Sequence, residues 1–193
     1  MGGVRSRHAG KGTRATLPKD VPPALRPFAH PVARFVILFL FFILLFSVLG
    51  ATGSAERYLH GPLSRLVAIL AAHILIPFGS ASASGNTIFF NSFSASVDEA
   101  CDGVLPAYIF IAAVLAFPSR PRTKLWGIFL GTVSIFLINL LRVVTLMLVG
   151  SKWPDLFEQV HIYVWQALVI ALSMGIWVLW VEAFVRPGAA SRR

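Results

Sequence analysis

Long apolar runs dominate this chain and limit what it can fold into. Four stretches, about Phe35–Leu49, Gly103–Phe117, Leu125–Val149 and Ile162–Val185, approach the length that carries an α-helix across a bilayer, ~20 residues. Lipid offers no hydrogen-bond partner to backbone N–H and C=O groups, so such segments satisfy one another inside helices or closed barrels. The runs lack the two-residue alternation of barrel strands. The expected fold is an all-α polytopic membrane bundle with about four spanning helices. Composition agrees: 56% of the 193 residues are hydrophobic and only 13% are charged, roughly half the charge of a soluble domain.

The formal net charge is +9, yet the basic residues flank apolar runs and do not cluster with aromatics on a soluble surface. That distribution follows the positive-inside pattern and points to a lipid bilayer, with no nucleic-acid partner expected. Residues 1–33 read as a disordered basic tail ahead of a membrane domain at 34–186, and 187–193 as a second tail. About thirty residues precede the first apolar run, which argues against a cleaved secretory signal; an acid-poor, Arg-rich start is also shared with organellar transit peptides. The two tails, with Arg34 and Arg186 at their edges, and the 119–124 loop hold 13 of the 17 basic residues, which places all three in the cytoplasm. The 151–161 loop and the segment before Cys101 then lie outside.

Parity bears on Leu63–Phe78. Both of its ends fall on the outer side, so an interfacial or re-entrant helix is expected there, with Leu63, Leu66, Val67, Leu70 and Ile74 on one face. Residues 79–97 carry small residues around a short aromatic run. One or two short strands near the outer membrane surface are expected.

Three polar outliers fall near the same outer face. Cys101 is the only cysteine, so no internal disulfide is possible. It sits where a polar loop meets an apolar helix, and the positive end of that helix favours a thiolate. Asp98, Glu99 and Asp102 oppose this. Arg142 lies about seventeen residues, or roughly 25 Å, above the cytoplasmic edge of its run. A charge there costs about 2.5–3.5 kcal/mol or more, so it is expected to face the bundle interior or an aqueous cavity. Asn139 shares its face and is placed to solvate it. His161 opens the last run, with Glu158 one turn back to orient the ring and Trp165 one turn on. A thiolate, an imidazole and a fixed cation make a complete acyl-transfer set.

Around these residues the chain resembles the exosortase/archaeosortase family. The carriers are the uncharged 79–97 segment, "EACDG" at a helix start, "NLLRV" inside a later run, and a histidine opening the last one. The resemblance covers roughly residues 35–185, and "ACDGVLPAYIFIAAVLAFPS" looks most like the exosortase H type, associated with IPTLxxWG-bearing tails. It implies a Cys101, Arg142 and His161 trio acting as a membrane cysteine peptidase or transpeptidase. It also implies substrates: secreted proteins ending in a short motif, a membrane helix and a basic cluster, cut outside a bacterial inner membrane. The chain departs from the family in one place, with Asp102 where a small residue usually follows the cysteine. On this resemblance the 79–97 segment is placed to pair with an extended substrate, and a substrate helix to pack beside Gly127 and Gly131.

The competing interpretation is a non-enzymatic membrane scaffold or transporter subunit in which Arg142 is a structural charge. His60 and His73 lack metal-ligand spacing with Cys101 or with each other, and no phosphate-loop, dinucleotide or zinc-protease motif is present. No metal or cofactor is expected. The tryptophans Trp126, Trp153, Trp165, Trp177 and Trp180 read mostly as interface anchors. Oligomeric state and the choice between transfer and hydrolysis stay open.

Overall fold

A computed structural model describes residues 30–99 and 101–185. The two tails expected at 1–33 and 187–193 lie, but for a few residues, outside that range. Five helical runs form the fold: α1 (Pro31–Gly50), α2 (Gly53–Phe78), α3 (Val104–Ala116), α4 (Pro121–Lys152) and α5 (Pro154–Val185). Proline opens α1, α4 and α5, where a missing N–H costs nothing. Thr52 caps α2, its hydroxyl accepting the Ala55 N–H at 3.2 Å.

The all-α polytopic expectation holds, with helix lengths that differ from those expected. By length and composition, α1, α2, α4 and α5 are each able to cross a membrane. The apolar run Gly103–Phe117 predicts a full span, but α3 has 13 residues, or about 20 Å, against a hydrocarbon core of ~30 Å. The short helix packs against α1, α4 and α5 in the middle of the bundle. Its brevity matters: the loop before it descends to the level of Asn139 on α4.

Two packed layers follow from this. On one side of that level, Phe110, Val114, Ile135 and Trp180 form a core, edged by Phe35, Phe117 and Trp177. Phe117 meets Trp177 edge-on at 5.6 Å. On the other side, α2 lays Val67, Ala68, Ala71, Ala72 and Leu75 against Leu140, Val143, Val144 and Met147 of α4. The start of α2 reaches Asp102 through His60, and its far end joins the core that the sheet covers. The outward surface of α1 and α5 is apolar, as lipid contact requires.

Residues 81–96 form three strands rather than one or two. β1 (Ala81–Ser84), β2 (Thr87–Phe90) and β3 (Phe93–Ser96) make an antiparallel meander in that order. Two-residue loops join them, and Gly85 (φ 61) and Asn91 (φ 52) take the left-handed backbone those loops need. The register pairs Ala83 with Ile88, Ile88 with Ala95, and Phe90 with both Ala81 and Phe93. Small and large apolar side chains therefore share one face, turned onto α2 and α4, and serines dominate the other. Asn91 locks the sheet to α4, donating from its amide to Ser151 Oγ at 3.3 Å.

Two expectations are corrected. Gly127 and Gly131 are not open to a substrate helix: an added Cβ would stand 2.2 Å from Trp180 Nε1 and 2.1 Å from the Phe110 ring. These glycines let the chain's own aromatics press against α4. Of the tryptophans, only Trp126 and Trp153 are largely exposed. Trp165 and Trp180 are buried, and Trp177 packs among Phe35 and Phe117.

Candidate active site

The loop from Val97 to Gly103 is shaped by its own backbone. The Cys101 N–H donates to the Asp98 carbonyl at 2.8 Å. Gly103 then takes φ 87, a left-handed turn that side chains resist. Asp102 caps α3, accepting the Val104 N–H at 2.8 Å. The cap therefore comes from the residue that follows the cysteine. Cys101 sits just outside the helix.

Cys101 is 8% exposed, with His161 Nε2 3.1 Å from its sulfur and Arg142 Nη2 3.7 Å away. Three elements deliver these groups: the 97–103 loop, α4 and the start of α5. His161 rides on a π-helical stretch, Val160–Trp165, whose wider turn resets the direction in which side chains leave the helix. Behind it Trp165 is buried against Leu146 and Val169, which fixes the stretch. Phe157 flanks the imidazole at 5.8 Å.

Asn139 is 1% exposed, and its amide donates to the Cys101 carbonyl at 2.6 Å. It holds the loop instead of solvating Arg142. Its own Oδ1 has no partner among the described residues, and neither has Arg142 Nε. Arg142 is 3% exposed, and among the described residues no carboxylate pairs with it. A buried, unpaired cation is costly. Ionisation of Cys101 would supply the missing counter-charge.

Burial pushes the Cys101 thiol above the usual thiol range; Arg142 opposes this, while Asp98 and Asp102 add to it. Burial likewise raises the Asp102 carboxyl, against the pull of the Val104 N–H and of His60.

The remaining sequence candidates divide. Asp98 and Glu158 line a cavity of about 480 Å³ together with Cys101, His161 and β3. Among the described residues no hydrogen bond joins Glu158 to the imidazole, so it is a neighbour of the ring and not its anchor. Glu99 turns to a separate cleft that Glu56, His60 and Arg65 also line. On the far side of Gly103 an apolar groove runs between α3 and α4, bordered by Tyr108, Ile111, Val133 and Phe136.

His60 is the residue that spacing arguments pass over. Its Nδ1 lies 2.5 Å from Asp102 Oδ2, and both side chains are buried. It too sits on a π-helical stretch, Glu56–His60. The one hint in the sequence is Asp102 itself, a carboxylate beside an apolar helix that needs a partner.

A family model described as transmembrane exosortase matches residues 28–180. No curated protein and no solved structure matches the chain.

Proposed function

The chain belongs to the transmembrane exosortase family, and from that premise we propose that it is a cysteine transpeptidase or peptidase cutting the C-terminal sorting signal of secreted proteins. Family membership supports a membrane sorting function of the transpeptidase kind in general. The observation that carries it is the convergence on one sulfur of His161 at 3.1 Å and Arg142 at 3.7 Å, from sequence positions far apart.

In this mechanism His161 Nε2 takes the thiol proton as the Cys101 sulfur attacks the scissile carbonyl carbon. The carbonyl oxygen gains negative charge, and the Arg142 guanidinium stabilises it. The C–N bond breaks, the imidazolium returns the proton to the leaving amine, and a thioester remains on Cys101. An acceptor amine or water then attacks the thioester, giving its proton to His161, and the C–S bond breaks. Asn139 positions the loop through the Cys101 carbonyl. Asp102 supports the site through the helix start, Asp98 and Glu158 border its cavity, Glu99 faces the neighbouring cleft, and none of the four reacts.

Asn139, where the Cys101 loop meets α4, lies about eighteen residues, or roughly 27 Å, along the helix from Pro121. With the basic 119–124 loop in the cytoplasm, that depth corresponds to the outer edge of a bilayer. The working orientation is a bacterial inner membrane with the N-terminus cytoplasmic and Cys101 facing the periplasm. The substrate's membrane helix would lie along the apolar groove between α3 and α4, which ends at Gly103, and not beside Gly127 and Gly131.

The test is a secreted reporter bearing an IPTLxxWG-type tail, co-expressed with wild type, Cys101→Ala or Cys101→Ser and followed by blot. A size shift with wild type that both variants lose is expected. A shift retained in the variants overturns the thiol mechanism and leaves the scaffold interpretation.

A further inference from the structure

The sheet has two edges, and only one of them borders the cavity that holds the reactive sulfur. Antiparallel pairs alternate between residues that exchange backbone hydrogen bonds and residues that do not. The Val97 N–H donates to the Asn86 carbonyl at 2.9 Å. Stepping by two through the register, Ala95 and Phe93 also turn their backbone groups toward β2. Ser94 and Ser96 therefore point their N–H and C=O groups the other way, off the open edge. That edge, Cys101 and His161 line the same cavity, whose apolar wall is made by Leu146, Met147 and Phe157.

An unpaired strand edge is a template for another strand, and proteins usually blunt it with charge, proline or a bulge. Among Phe93–Ser96 there is neither charge nor proline.

We propose that the backbone of Ser94 and Ser96 binds the substrate as a fourth strand, holding the residues on the N-terminal side of the scissile bond in extended form. This rests on the peptidase reading above. The direction follows from the layers. The sheet packs on α4 beyond Arg142 from the aromatic end of the bundle, with Phe93 against Gly150. A substrate whose membrane helix follows its cleavage motif reaches Cys101 from below, so its preceding residues run along β3. Affinity would come from main-chain hydrogen bonds, and selectivity from side chains at every second position entering the apolar wall.

The experiment uses full-length enzyme in membrane vesicles with the tailed reporter. Ser96→Pro and Ser94→Pro each delete one outward N–H while leaving the backbone bonds to β2 in place, a position where edge strands tolerate proline; Ser96→Pro also loses the hydroxyl contact with Thr87 at 3.1 Å, as Ser96→Ala does. Ser96→Ala keeps that N–H. Expected is a tenfold or greater loss of processing with either proline variant and near wild-type processing with Ser96→Ala. Iodoacetamide labelling of Cys101 at the wild-type rate certifies an intact site. Should a proline variant fail that check, synthetic tail peptides N-methylated at successive residues before the scissile bond decide with unaltered enzyme. Strand pairing predicts cleavage that fails at alternate positions. Equal processing by the proline variants, or no two-residue period in the peptides, overturns this proposal alone. No cleavage by wild type overturns the peptidase reading and this proposal with it.

Discussion

His60 and Asp102, 42 residues apart in the chain, meet inside the protein at 2.5 Å. The contact ties the start of α2 to the residue that follows the reactive cysteine. It also gives a physical reason for an aspartate beside the cysteine: the buried carboxylate has a partner and a helix start to cap. Removing one member of a buried pair typically costs about 3–5 kcal/mol, because the other is left stranded. His60→Ala should therefore lower the melting temperature in detergent markedly. The double variant His60→Ala, Asp102→Leu should lower it by less than the sum of the single variants. Strict additivity would show that the two side chains do not couple.

Arg142 should act on the thiol as a charge. It holds the Cys101 pKa down against burial, so Arg142→Gln moves the thiol further up and lowers the thiolate fraction at neutral pH. Iodoacetamide labelling should slow by about tenfold for each unit of that rise, with Arg142→Lys in between. Unchanged labelling in Arg142→Gln would mean that the guanidinium serves packing only.

Asp98 should act with the opposite sign. Its charge raises the thiol, after burial, which is the largest cause. Wild-type labelling should still be rising with pH beyond the usual thiol range. Asp98→Asn should displace the profile toward lower pH and so accelerate labelling at pH 7. A profile that moves up, or not at all, counts against this field.

Gly103→Ala should impair processing more than folding. A left-handed backbone costs an ordinary residue about 1–2 kcal/mol, and the new Cβ would stand 3.2 Å from the Asn139 side chain. Both effects disturb the bond from Asn139 to the Cys101 carbonyl. Folded protein with wild-type processing would separate that bond from function.

Gly131→Ala tests the bundle itself. Its Cβ would overlap the Phe110 ring, and overpacking of this kind costs about 1–3 kcal/mol. Thermal stability should fall and be partly restored by adding Phe110→Leu. Gly127→Ala, which meets Trp180 instead, should gain nothing from that second change.

Much of this architecture is legible in the amino-acid sequence. Apolar run length dictates a helical membrane bundle, because backbone polar groups in lipid must satisfy one another locally. The polar outliers Cys101, Arg142 and His161 stand out because each is expensive or unusual where it sits, and cost is a local property of sequence. Other features depend on distances that local patterns do not encode. Nothing in the spacing of His60 points to Asp102, and a glycine pair four residues apart reads the same whether a substrate helix or the chain's own Phe110 and Trp180 fill it. The third strand is hard to read because serine and alanine carry little strand signal; pairing with Ile88 and Phe90 and cover from α2 and α4 make it a strand. The brevity of α3 is likewise a tertiary outcome. Gly103 turns the backbone and Asp102 caps the helix late, so the helix begins three residues after the cysteine. That shortening carries the Cys101 loop down to Asn139 and Arg142. The sequence alone determined which residues are costly to place in a membrane; packing around one short central helix decided that they meet.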